Sequence, residues 1–247
     1  MPKVKDSFVT TLARISNDES VQELVLPAAI LWDMDGTLID SEPFWQAAEM
    51  ELVNSGGGVW SLEQALELVG SDLHAAAHVL IAAGAPMDVD GVVDYLVTNV
   101  AHKISQGVPW RKHAPETLAW IKDLDIPCAL VTMSHAPIAQ GLLDAVGTGT
   151  FDVVVTGDMV EKGKPDPLPY LRAAELLGVE ISNCVAVEDS VTGITSALAS
   201  GARTVGIEAV SPVQPLPGLS RVTSLEQITP SVLDVLMRGG TVDYYTA

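Results

Sequence analysis

The sequence predicts an α/β fold: a doubly wound parallel sheet with a small all-helical domain inserted after its first strand. Short apolar runs at 28–32, 126–132, 151–156, 184–188 and 202–207 are bounded by turn or capping residues, as expected of strands buried on both faces of a parallel sheet. The last four of these runs alternate with helical patterns, the order of a doubly wound sheet. Between residues 43 and 108 the alternation stops and only helical periodicity remains.

Residues 1–26 are polar and weakly periodic before Pro27, and read as an N-terminal extension with at most a short helical portion. The first strand, 28–32, runs directly into Asp33-Met34-Asp35-Gly36-Thr37. In the insert, Phe44, Ala47, Ala48 and Leu52 fit one helix, and Ser61 with Gln64 forms a capping box. Leu73, Ala76, Ala77, Leu80 and Ile81 fit another, and the apolar positions from Val89 to Ile104 give a long last one. The expected division is therefore a core of 27–42 and 109–247 and a helical domain of 43–108. In the core, helices are predicted over 137–146 and 167–177, closed by Gly147 and Gly178. A third follows Ser190, a good N-cap, and stops at Gly201. Residues 225–236 suggest a surface helix with a frayed tail.

The chain has 247 residues, enough for one large domain or two unequal ones without disulfide staples. Cys128 and Cys184 lie inside apolar runs and read as small buried hydrophobes in a reducing compartment. With 13 Lys and Arg against 32 Asp and Glu, the net charge is -19. Such a surface repels nucleic acid and anionic membranes, so neither is an expected partner. No apolar run is long enough to span a bilayer and the first residues carry no signal-peptide core. The expectation is a soluble, cytoplasmic monomer.

Asp33 and Asp35 carry the strongest chemical signal. On an extended strand residues i and i+2 share a side, so both carboxylates can face one site while Met34 turns away. Gly36 lets the chain turn sharply beyond them. Close carboxylates repel unless a shared proton or a cation such as Mg²⁺ offsets their charge. Taken alone, an ordinary Asp/Gly turn at a strand end is the lesser reading of the pentapeptide.

The later strand ends add Thr132 beside Met133 and Ser134, then Lys164-Pro165 in a turn-rich segment, then Glu188-Asp189-Ser190. Individually these read as a helix cap, a solvated lysine and an N-terminal acid. Together with the first pair they supply what aspartyl phosphoryl transfer requires. In these motifs, and in their order and spacing, the chain resembles the haloacid dehalogenase-like hydrolase superfamily from residue 28 to about 236. The insert resembles the small helical cap of the branch containing β-phosphoglucomutase and phosphoglycolate phosphatase.

The resemblance implies a Rossmann-like core and a role for each matched residue. Asp33 becomes the nucleophile, and Asp35 the acid that protonates the leaving alcohol and later activates water. Asp33, the backbone carbonyl of Asp35, and Asp189 hold Mg²⁺, with Glu188 as a further or water-mediated partner. Thr132, Met133 and Lys164 bind the phosphoryl group. Asp35 sets the chain apart from the dehalogenases proper, which lack an acid there.

A phosphatase acting on a small phosphorylated metabolite, a sugar phosphate or a phosphoglycolate-like ester, is the expected function. A phosphosugar mutase is the first alternative. It is weakened because Gly70-Ser71-Asp72-Leu73-His74 and Ser134-His135 lack the cations that the mutase-like branch carries there. A regulator that binds a phosphorylated ligand without turnover is the second. His74 and His78 could grip a metal, but an exposed helix face explains their spacing better. Arg111 and Lys112 lie where the insert rejoins the core and read as a hinge flanked by Pro109 and Pro115, with substrate contact the lesser reading. For His135, substrate contact and packing are equally open.

Overall fold

A computed structural model describes residues 23–69, 71–209 and 212–245 of the chain. Most of the expected N-terminal extension, and Gly70, lie outside the described residues. The sheet has six parallel strands: β1 (Ala29–Trp32), β2 (Cys128–Val131), β3 (Val153–Val155), β4 (Cys184–Glu188), β5 (Arg203–Ile207) and β6 (Leu219–Val222). Their spatial order is β3-β2-β1-β4-β5-β6, so the direction of winding reverses beside β1. A crevice forms at such a reversal, beyond the strands' carboxyl ends.

Alternation along each strand divides the core between the two faces. Ile30, Trp32, Leu130, Val185 and Val187 pack on one side with α5 (Ala114–Asp123), α6 (Ala136–Val146) and α9 (Pro230–Met237). Leu31, Ala129, Val131 and Ala186 pack on the other with α7 (Leu168–Leu177) and α8 (Val191–Ser200). Among the described residues the elements between β1 and α5 are helices: α1 (Glu42–Ser55), α2 (Leu62–Glu67), α3 (Leu73–Ala83) and α4 (Val89–Gln106). The expected capping box opens α2, with Ser61 Oγ accepting from Gln64 N and Gln64 Oε1 accepting from Ser61 N. Asp72 and Asp88 cap α3 and α4. No helix among the described residues is long and apolar enough to cross a membrane.

Three features depart from the sequence expectation. Strand β6 carries Ser220 and Arg221 and so lacks an apolar signature, yet all four residues are buried. The Arg221 guanidinium is satisfied there, donating to Val213 O at 2.9 Å and to Asp243 Oδ2 at 2.6 Å. Pro115, expected only as a flank of the hinge, starts an unforeseen helix, α5, within its first turn, a position that needs no backbone N–H. The tail after the C-terminal surface helix is tied down and not frayed. α9 buries Val232, Leu233 and Leu236, and the following chain bonds to β6 through Arg221 N to Val242 O and Tyr244 N to Arg221 O.

Candidate active site

Asp33 is the first residue past β1, and its N–H donates to Val187 O at 3.1 Å, extending the ladder to β4. That bond fixes the carboxylate at the centre of the sheet edge, where it is only 6 % exposed. Lys164, from the loop before α7, reaches the same point. Its Nζ donates to Asp33 Oδ1 at 2.6 Å and Val131 O at 2.8 Å, and pairs with Glu188 Oε1 at 2.6 Å. Three acceptors match the three protons of a buried ammonium. Burial pulls the Lys164 pKa down, but Asp33 and Glu188 more than reverse this and hold it above the ordinary lysine value.

Glu188 ends β4 and is fully buried. Tyr170 OH donates to its Oε1 at 2.7 Å, and Asp189 N and Ser190 Oγ donate to its Oε2 at 3.2 and 3.3 Å. A Cβ on Gly193 would lie 2.0 Å from this carboxylate, so α8 approaches it as only glycine allows. With both oxygens engaged, Glu188 anchors Lys164. Ser190, not Asp189, caps α8, its Oγ accepting from Gly193 N at 3.0 Å, which leaves the Asp189 side chain free of that duty.

Asp35 sits one step further out. Ser41 Oγ donates to its Oδ1 at 2.5 Å, while Ser134 Oγ and Thr132 Oγ1 donate to its Oδ2 at 2.7 and 3.2 Å. Thr132 also accepts from Ser134 N at 3.0 Å. The turn just beyond the two acids is made by Gly36, at φ +88°, where a Cβ would lie 2.1 Å from Asp189 Oδ2. Gly36 therefore lets the end of β4 close on the end of β1.

Asp33, Glu188 and Asp189 offer carboxylate oxygens that all lie within 4.8 Å of one another. Burial, and then the charge of Glu188, push the Asp33 carboxyl up to about 7 against the pull of Lys164. Burial, then Asp33 and Glu188, raise Asp189 well above its ordinary value. One ammonium does not balance this crowd. Asp33 Oδ2 is buried with no hydrogen-bond partner among the described residues. An orphaned carboxylate oxygen within an all-oxygen donor set fits a small hard cation.

The matched strand-end residues thus converge. Asp33, Asp35, Thr132, Met133, Ser134 and Asp189 line one cleft, and Lys164 and Glu188 support it from beneath. The Met133 sulfur accepts from Lys164 N at 3.2 Å, tying the second strand end to the lysine loop. Opposite them lie Glu42, at the start of α1, and from the insert Trp45, Glu49, Leu68, Leu73 and Leu96. Other candidates fall elsewhere. His74 and His78 are exposed on α3, Arg111 donates to Glu208 O, Lys112 is exposed, and His135 precedes α6 without lining the cleft.

Sequence reasoning missed Ser41, Ser134, Tyr170, Glu42 and Glu49. Helical spacing on α1 held one usable signal, since Glu49 falls beside Ala48 and Leu52 on the apolar stripe. Burial, opposed by the Trp60 bond, pushes Glu49 up to about 7. Burial, then Asp35 and Glu49, do the same to Glu42.

The model of the haloacid dehalogenase-like hydrolase family matches residues 27–201. Hexitol phosphatase A of Escherichia coli K12 is 30% identical over 201 residues, covering 81% of this chain and 92% of that protein. Phosphoglycolate phosphatase of Neisseria meningitidis serogroup A is 33% identical over 190 residues, covering 72% of this chain and 79% of its own. Among solved structures, CbbY from Rhodobacter sphaeroides in complex with phosphate superposes with a TM-score of 0.75 at 25% identity, covering 82% of this chain and 96% of that one.

Proposed function

Since the chain belongs to the haloacid dehalogenase-like hydrolases, we propose that it is a Mg²⁺-dependent phosphatase that hydrolyses a small phosphorylated metabolite through an aspartyl phosphate on Asp33. Relatives named as hexitol, fructose-1-phosphate and phosphoglycolate phosphatases support a sugar phosphate or phosphoglycolate-like substrate. The observation that carries the reading is the state of Asp33: one oxygen is held by Lys164 and the other is buried without a partner. Lys164 fixes the carboxylate for attack on phosphorus, and the unpartnered oxygen leaves Asp33 open to a ligand in the cleft.

Asp33 attacks phosphorus as the alcohol oxygen departs. Asp35, fixed by Ser41, Thr132 and Ser134, gives that oxygen a proton and takes one back from the water that opens the aspartyl phosphate. Lys164, charged throughout, offsets the negative charge that builds beside Asp33. Thr132 and Met133 border the phosphoryl position from the second strand end. Asp33, Asp189 and the Asp35 carbonyl would hold Mg²⁺, while Glu188 acts mainly through Lys164. When bound, Mg²⁺ supplies charge neutralisation and polarisation of the phosphoryl oxygens. Residues 43–108 form a cap over the core of 27–42 and 109–247, closing the cleft to bulk water during transfer.

Hydrolysis is favoured over isomerisation because a mutase must hold a second phosphate, and no Lys, Arg or His among the described residues lines the cleft. The test is phosphate release from a hexitol monophosphate and from phosphoglycolate, with and without Mg²⁺. We expect Asp33→Asn to lower kcat by about a thousandfold or more, with one phosphoryl group trapped on the Asp33 peptide of the wild type. Normal turnover in that variant overturns the mechanism. Bisphosphate-dependent isomerisation points to the mutase, and inactivity throughout to a binding regulator.

A further inference from the structure

The wall of the cleft facing the phosphoryl site is acidic where a site for doubly charged substrates needs cations. Glu49 lines it from α1, yet its residue is only 6 % exposed. Its Oε2 accepts from Trp60 Nε1 at 3.0 Å, and no donor among the described residues reaches Oε1. A carboxylate held this way has one oxygen fixed by the protein and one left for whatever fills the cleft. Glu42, two residues beyond Asp40 and at the start of α1, adds a second carboxylate to the same wall.

We propose that Glu49, positioned by Trp60, is the specificity-determining residue of this site, selecting phosphomonoesters whose leaving group is an uncharged polyol and disfavouring those with a second anionic group. The inference rests on the phosphatase reading and deepens it. When ionised, carboxylates only accept hydrogen bonds, so they then recognise hydroxyl donors and repel a second phosphate or a carboxylate. With Trp45, Leu68, Leu73 and Leu96 beside the two acids, the wall interleaves apolar and acceptor groups. A polyol chain presents C–H and O–H groups in the same interleaved way. A small alkylammonium would satisfy the acids and leave the apolar half uncovered, so the uncharged polyol is the better match.

The experiment compares kcat/KM for a hexitol monophosphate, phosphoglycolate, a hexose bisphosphate and glucosamine phosphate, with acetyl phosphate as a minimal phosphoryl donor. The wild type should prefer the hexitol ester to either competitor with a second anionic group by about tenfold or more, and Glu49→Gln should lower that ratio by about tenfold. Trp60→Phe keeps the carboxylate and removes its clamp. Its expected signature is a raised KM for the hexitol ester with kcat nearly retained, which general unfolding does not produce, and it serves where Glu49→Gln does not fold. A wild type preferring phosphoglycolate, the bisphosphate or the amino sugar ester, or a ratio unmoved in both variants, overturns the inference while the phosphatase stands. No phosphate release even from acetyl phosphate overturns both.

Discussion

At the scale of single residues, the site depends on positions with no side chain as much as on its acids. Gly36 combines a left-handed φ of +88° with a space in which a Cβ would meet Asp189 Oδ2 at 2.1 Å. Gly36→Ala therefore does two separable things. It strains the backbone, costing about 1–2 kcal/mol, and it pushes Asp189 away from Asp33. On the metal assignment, the second effect lowers Mg²⁺ affinity by about tenfold or more, measured by calorimetric titration of the folded variant. Unchanged affinity would remove Asp189 from the proposed ligand set. The same logic explains what was readable beforehand. Asp33, Asp35, Lys164 and Asp189 each follow or adjoin a strand end, so spacing along the chain reveals them. Ser134 and Tyr170 reach the site only through the packing of β2 and α7, and nothing local distinguishes them from other hydroxyls.

At the scale of elements, α1 shows why helical periodicity found the fold but missed part of the site. Its apolar stripe holds Ala48, Leu52 and Val53, and Glu49 lies within the stripe, buried rather than solvated. Such a carboxylate couples stability to pH. Its pKa rises from 4.5 to about 7 on folding, so between those values the folded state binds more protons than the unfolded chain. Stability therefore falls as pH rises through that window and levels off above it. In Glu49→Gln the acceptor for Trp60 remains and the ionisation is gone. The variant should match the wild type near pH 4.5 and exceed it at pH 8 by about 2–3 kcal/mol, read from urea unfolding at both values. An equal difference at the two pH values excludes Glu49 as the linked group. Element boundaries failed for related reasons: β6 hides behind Arg221, whose guanidinium is satisfied by Val213 O and Asp243 from outside the strand, and α5 behind Pro115, which breaks helices elsewhere but opens one here.

At the scale of the whole molecule, a net charge of -19 meets a site whose assigned task is to receive more negative charge. The doubly wound sheet resolves this by concentration. It brings the ends of β1, β2 and β4 together at its winding reversal, so one buried lysine and one candidate metal position serve acids from separate parts of the chain. Such a site gains stability from its cation, because the unfolded chain does not hold the three carboxylates together. Mg²⁺ at about a hundred times its Kd should then stabilise the fold by about 2.7 kcal/mol. Screening by added ions also relieves repulsion in so acidic a protein, so the melting temperature must be compared with NaCl at matched ionic strength. Asp189→Asn separates the two contributions: it removes one carboxylate from the cluster and changes the net charge by a single unit, so the Mg²⁺-specific increment should largely vanish while the NaCl response persists. An increment that NaCl reproduces in full, or that survives in Asp189→Asn, would show that the cation acts on the surface rather than at the convergence of these strands.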